Sequence, residues 1–141
     1  MSEEELKFEE EMTFGLMNVL EVRVFKNPKD GRNCLHKVLG KYAFVFALCC
    51  YCSVCTKCCS KKFMEKKGVE SDKLDKYTQM IDQKLGSSDF LHGDEMGILD
   101  LSLYGMTYTF AKEPKMECIK EMEDASPLFK EWLVRMTRII G

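Results

Sequence analysis

The sequence predicts an all-α domain, and three observations carry that expectation. Apolar residues recur at helical spacing in each segment long enough to show a period. Start and stop signals bracket those segments, and no pair of alternating runs suggests paired strands. With 141 residues, one domain spanning 1–141 is expected, large enough to bury about two thirds of its unfolded surface.

Ser2 and Glu5 have capping-box spacing, and Leu6, Phe8, Met12, Leu16, Met17, Val19 and Leu20 follow as an apolar stripe. That helix must stop before Asn27-Pro28, because the residue ahead of a proline avoids the α region. Asp30-Gly31 reads as a turn, after which Cys34, Leu35, Val38 and Leu39 open a second helical pattern. Gly40 reads as a break or close approach inside a pattern that continues to Gly68. Ser71 or Asp72 is expected to start a further helix with Leu74, Tyr77, Ile81 and Leu85 on one face and Gly86 as its stop. Met116, Cys118, Ile119 and Met122 lead to Ser126-Pro127, an N-cap with proline at N1. The closing helix then turns Leu128, Phe129, Trp132, Leu133, Met136 and Ile140 toward the core.

The stretch 97–105 organises the rest. Ile98, Leu99, Leu101, Leu103 and Tyr104 leave Asp100 as its only charge, ahead of Gly105. A helix so apolar all round is expected to be buried on every side. Gly97 is the expected N-cap. Asp100, at N3, would reach back to the cap N–H, while Met96 and Leu101 hold the N′ and N4 places of a hydrophobic staple. The free donors and dipole of a helix N-terminus favour a negative charge there.

Hydrophobic residues make up 45% of the chain and charged residues 31%, with three Pro and nine Gly, the balance of a globular protein rather than a disordered one. A net charge of −2 gives no electrostatic footprint for nucleic acid. Met1 is followed at once by Ser-Glu-Glu-Glu, without the basic and apolar regions of a leader. A cytoplasmic location is therefore expected, and the eight Cys are read as thiols.

The segment Phe90-Leu91-His92-Gly93-Asp94-Glu95-Met96-Gly97-Ile98-Leu99-Asp100, followed by Leu103-Tyr104-Gly105, resembles the central helix of the glutathione S-transferase C-terminal domain, which opens on a Ser/Thr-x-x-Asp cap. Gly97 stands in place of the capping Ser/Thr, Met96 in place of Pro, and Leu99 in place of a small residue. Glycine is only a few tenths of a kcal/mol poorer as an N-cap, so the cap survives. The run from Glu9-Glu10-Glu11-Met12 to Asn27-Pro28 and the closing Trp132-Leu133-Val134-Arg135-Met136-Thr137-Arg138-Ile139-Ile140 are similar to the prostaglandin E synthase 2-like subgroup. Lys41-Tyr42 and Ser60-Lys61-Lys62 fall where that subgroup has its long middle helix. The resemblance implies a helical bundle. In these families thiol chemistry and the glutathione site belong to an N-terminal thioredoxin-like domain, for which this sequence shows no βαβ pattern. Glutathione is thus expected as a cofactor only if such a domain exists.

Cys49, Cys52, Cys55, Cys58 and Cys59 include metal-ligand spacing, yet no helix breaker lies between 41 and 67. On a helix, Cys49, Cys52, Cys55 and Cys59 share a face, where thiols act as small apolar packing residues. Core packing is the leading reading, and metal, redox or lipid chemistry the alternatives. The fifteen uncharged residues from Tyr42 to Thr56 are short of the ~20 needed to span a bilayer. Lys57, Lys61, Lys62, Lys66 and Lys67 beside them leave peripheral membrane association as a lesser reading against simple complementation of a helix dipole. His36 and His92 have no Ser, Cys or Asp arrangement that implies catalysis.

Three functions remain in view. The first is a non-catalytic domain that binds a protein partner or a second copy, through a first-helix face including Phe14, Met17 and Leu20. The second is the C-terminal part of a glutathione-dependent transferase or prostaglandin-type isomerase, contributing an apolar wall for a small molecule. The third is a Cys-based metal or redox protein.

Overall fold

A computed structural model describes residues 2–40, 61–62, 64–112 and 114–141. Among them run α1 (Glu3–Glu10), a π-helical segment (Glu11–Leu16), α2 (Met17–Lys26), α3 (Pro28–Leu39), α4 (Asp75–Leu85), α5 (Ile98–Ala111), α6 (Glu117–Ala125) and α7 (Pro127–Ile140). Residues 61, 62 and 64–67 are also helical, and Gly68 closes that stretch at φ +65°. Among the described residues the only β feature is an isolated bridge between Phe90 and Gly93. The Cys-rich stretch and the match proposed for Lys41-Tyr42 and Ser60 lie outside the described residues.

The first helix is continuous from Glu3 to Lys26, and its middle changes register. Ser2 and Glu5 close the expected box: the Ser2 N–H donates to Glu5 Oε2 at 2.6 Å and the Glu5 N–H to Ser2 Oγ at 3.3 Å. Phe8, Met12, Leu16, Leu20 and Val24 are all buried, at a strict spacing of four. In a pure α-helix, positions four apart drift by about 40° per step. The wider turn of the π segment takes that drift back, so one line of side chains stays on the core. Two expectations change as a result. Leu20, assigned to an interface, is 0% exposed and belongs to the core, and Met17 packs partly buried against it. Phe14 alone of the three faces outward.

α3 starts ahead of the Asp30-Gly31 turn that the sequence suggested. Pro28 holds N1, and Asn27 Oδ1 accepts from the Lys29 N–H at 3.0 Å and the Asp30 N–H at 3.4 Å. Asp30-Gly31 is therefore helical, not a turn, because an Asn cap followed by Pro at N1 is a stronger start signal than Asp-Gly. α4 starts later, at Asp75 with no side-chain cap. Asp72 is drawn off by Lys26 Nζ at 2.9 Å, and Ser71 Oγ accepts locally from the Lys73 N–H. Gly86 ends α4 at φ +54°, as its position suggested.

α5 packs against α1, the π segment, α6 and α7. Those neighbours take up Leu99, Asp100, Leu103, Tyr104, Thr107 and Phe110 and leave its other side open. Ile98, Leu101 and Tyr108 are 59%, 44% and 40% exposed, so the helix is not buried all round despite its composition. On α7, Phe129, Trp132, Leu133 and Met136 enter the core, whereas Leu128 and Ile140 stay at the surface, off the narrower face that meets α4, α5 and α6. No described helix is long and apolar enough to cross a membrane.

Candidate functional site

Asp100 is fully buried and bound to three donors from three parts of the chain. The Gly97 N–H donates to Oδ2 at 3.0 Å, which is the cap contact expected from the spacing. Oδ1 accepts from the Leu91 N–H at 2.9 Å and from Trp132 Nε1–H at 2.8 Å. The carboxylate thus joins the loop before α5, the first turn of α5 and the middle of α7. Charge-assisted bonds of this kind are the stronger class, and leaving any of these donors unmet inside the protein is costly. Met96 and Leu101, the staple pair, lie on the surface and outside the core cluster.

Gly97 has an extended backbone (φ −117°, ψ −175°), so its conformation does not require glycine. The space favours it: a Cβ there would collide with the His92 ring unless that ring moved aside. His92 Nδ1 in turn lies 3.1 Å from Glu5 Oε1, tying the start of α1 to the cap loop of α5. The hydrogen bond from the Ser2 backbone, with a smaller contribution from His92, holds the Glu5 carboxyl below the usual range.

Two further carboxylates act at helix starts, and sequence reasoning missed both. Buried Asp30 accepts the Glu117 N–H with both oxygens, at 3.1 and 3.0 Å, capping α6 from 87 residues away. Buried Ser126 donates to Asp82 while its Oγ accepts the Phe129 N–H at 2.9 Å. No local spacing could have revealed either partner.

The π segment forms one side of an open cleft of about 840 Å³ that also meets Val69, Lys73 and Tyr77. A Cβ on Gly15 would lie 2.7 Å from the Tyr77 hydroxyl, so the tyrosine rests directly on the glycine. Burial pushes the Tyr77 hydroxyl pKa up, making it a poor proton donor to solvent. Lys76 bridges to Glu11 at 2.8 Å, and that bond raises the lysine pKa. Phe14 stands at the cleft with 65% of its surface exposed. A second, more apolar groove of about 460 Å³ runs between Met17, Val24, Met106 and Phe110.

Burial, and secondarily Asp30, pushes the Cys118 thiol up to about 12, which leaves it unreactive near neutrality. Among the described residues no three His, Cys, Asp or Glu side chains come together as metal ligands. Cys49, Cys52, Cys55, Cys58 and Cys59 lie outside them.

An all-α bundle whose central helix is capped by a buried N3 carboxylate defines a class of helical domain. The sequence profile of the glutathione S-transferase C-terminal domain matches residues 50–139, well over half of the chain, and the chain belongs to that family. No curated protein sequence and no solved structure matched it.

Proposed function

We propose that this transferase-type C-terminal domain is a non-catalytic module that holds a protein partner on the face around Phe14. The observation that carries the reading is the outward placement of Phe14, a large apolar side chain beside an open cleft, on a helix whose register is otherwise spent on the core. Exposed aromatic residues beside a concavity serve as anchors for a partner. The described groups around the cleft supply no activated nucleophile: Tyr77 is shifted away from ionisation, and its lysine neighbour is paired with Glu11. The test is quantitative capture of partners by the full chain and by Phe14→Glu. A protein retained by the wild type and lost at least tenfold with Phe14→Glu, at an unchanged Tm, supports the reading. Capture indifferent to Phe14 removes it.

One observation favours a second reading. The groove at Met17, Val24, Met106 and Phe110 is apolar and could form one wall for a hydrophobic small molecule in a glutathione-dependent transferase or a prostaglandin E synthase 2-like isomerase. Saturable quenching of an apolar fluorescent probe, abolished by Met106→Asp, supports that wall. Turnover with glutathione and a model electrophile would make the domain an enzyme and displace the first reading.

A further inference from the structure

Tyr77 carries a polar atom for which the fold itself has no use. The residue is only 8% exposed, yet its hydroxyl makes no hydrogen bond within the chain. Among the described residues every fully buried side-chain nitrogen or oxygen has a partner, so this oxygen is the part of the residue that reaches the surface. It does so in the cleft that Tyr77 lines together with Phe14 and Gly15. We propose that Phe14 and Tyr77 form a binding site for an extended peptide segment, a site that rests on the Phe14 reading and says what kind of segment is held there. Phe14 packs against an apolar side chain of the segment, and the Tyr77 hydroxyl donates to one of its backbone carbonyls.

Charge selects a neutral acceptor. Lysine and carboxylate side chains line the cleft in equal number, so no net field draws an ionic ligand into it. At the hydroxyl itself, Lys76 and Glu11 push the phenol in opposite directions and pair with each other at 2.8 Å. Burial keeps the phenol protonated near neutrality, so its hydrogen is available to donate. The neutral acceptor that every protein segment carries is the backbone carbonyl. In a helix all but the last four carbonyls are already taken, whereas an extended segment leaves them free along its edge. An extended segment also turns alternate side chains to one side, which suits a cleft with an apolar anchor beside a polar one. The first helix borders the cleft from Lys7 to Val19, about 18 Å at 1.5 Å per residue. That is the length of about five extended residues.

Selection of displayed random heptapeptides on the full wild-type chain supplies the probe, and the enriched peptide is then synthesised and titrated. It is expected to be uncharged, with alternating apolar residues. Its binding is expected to be lost with Phe14→Glu and weakened roughly five- to tenfold by Tyr77→Phe, the scale of one hydrogen bond. Tyr77→Phe keeps the ring on Gly15 and breaks no internal bond, so its Tm is expected to match the wild type. A single thioamide, scanned along the peptide, is expected at one position to weaken binding to the wild type and leave binding to Tyr77→Phe unchanged. A merely structural role for Tyr77 would not produce that coupling. A selection that enriches no peptide overturns the proposal, as does a peptide indifferent to either substitution or one bound as a helix. A marked fall in Tm for Tyr77→Phe would show that the hydroxyl serves the fold and would also overturn it. The Phe14 reading is decided separately, by protein capture with wild type and Phe14→Glu, and stands or falls whatever Tyr77→Phe does.

Discussion

Two glycines make room for aromatic rings, and the two sites differ in what surrounds the ring. At Gly97 the imidazole of His92 fills the space of a Cβ, and beside it three hydrogen-bond donors converge on Asp100. At Gly15 the Tyr77 ring rests on the backbone of a π turn, and among the described residues no comparable polar junction fixes the neighbouring Phe14. The first site fastens elements together through buried polarity. The second redirects a helix face, so that one aromatic group is free to meet something else. Buried polar groups must all be satisfied at once, whereas packing against a glycine sets only a distance.

The largest expected effect lies at the polar site. Asp100→Ala strands the Leu91, Gly97 and Trp132 donors and should cost about 3 kcal/mol or more. Trp132→Phe removes one donor while keeping most of the volume, and should cost less. Chemical denaturation that ranks the two equally would break the distinction drawn here. Gly15→Ala comes next, at about 2 kcal/mol, because buried Tyr77 has little room to yield. Pairing it with Tyr77→Ala should recover part of that cost as a coupling in a double-mutant cycle. Gly97→Ala should be milder, about 1 kcal/mol or less, although its clash is the closer one. His92 is partly exposed and can swing away, giving up only its contact with Glu5. A Gly97→Ala variant more damaged than Gly15→Ala would reverse the comparison. The smallest effect is at the surface. The hydrogen bond from Lys26 holds the Asp72 carboxyl below the usual aspartate range. A depressed carboxylate pKa stabilises the fold above the ordinary aspartate range and loses that contribution as pH falls through the folded value. Stability followed from pH 6 to pH 2 should therefore fall by a few tenths of a kcal/mol more for wild type than for Asp72→Asn, the scale of an exposed pair.

Local grammar was readable where the partner lies within a turn. The Ser2–Glu5 box, the Gly97–Asp100 contact, Gly86 and Ser126-Pro127 could all be placed from spacing alone. The bonds from Trp132 to Asp100 and from Glu117 to Asp30 could not, since they join residues 32 and 87 apart that no short-range rule relates. Of the three residues assigned to an interface, Leu20 was misplaced for a different reason, whereas Phe14 does face outward. An α-helical wheel puts Leu20 and Phe14 where a constant 3.6-residue turn would, and the π segment breaks that constancy. The signal was present in the unbroken four-residue spacing of Phe8, Met12, Leu16, Leu20 and Val24, which no straight α-helix can keep on one face. Composition misled on α5, because its apolar residues exceed what its packed face takes up, and Ile98, Leu101 and Tyr108 stay exposed.

The bond from Trp132 to Asp100 has a consequence for the order of folding. Until α7 is in place, the first turn of α5 carries a carboxylate whose indole partner is still missing. Completion of the central helix and arrival of the closing helix are therefore expected to be one kinetic event, not two. The same bond supplies the means to watch it. Trp132 is the chain's only tryptophan, so intrinsic fluorescence reports the assembly of that single junction, and its refolding trace should coincide with the recovery of helical dichroism.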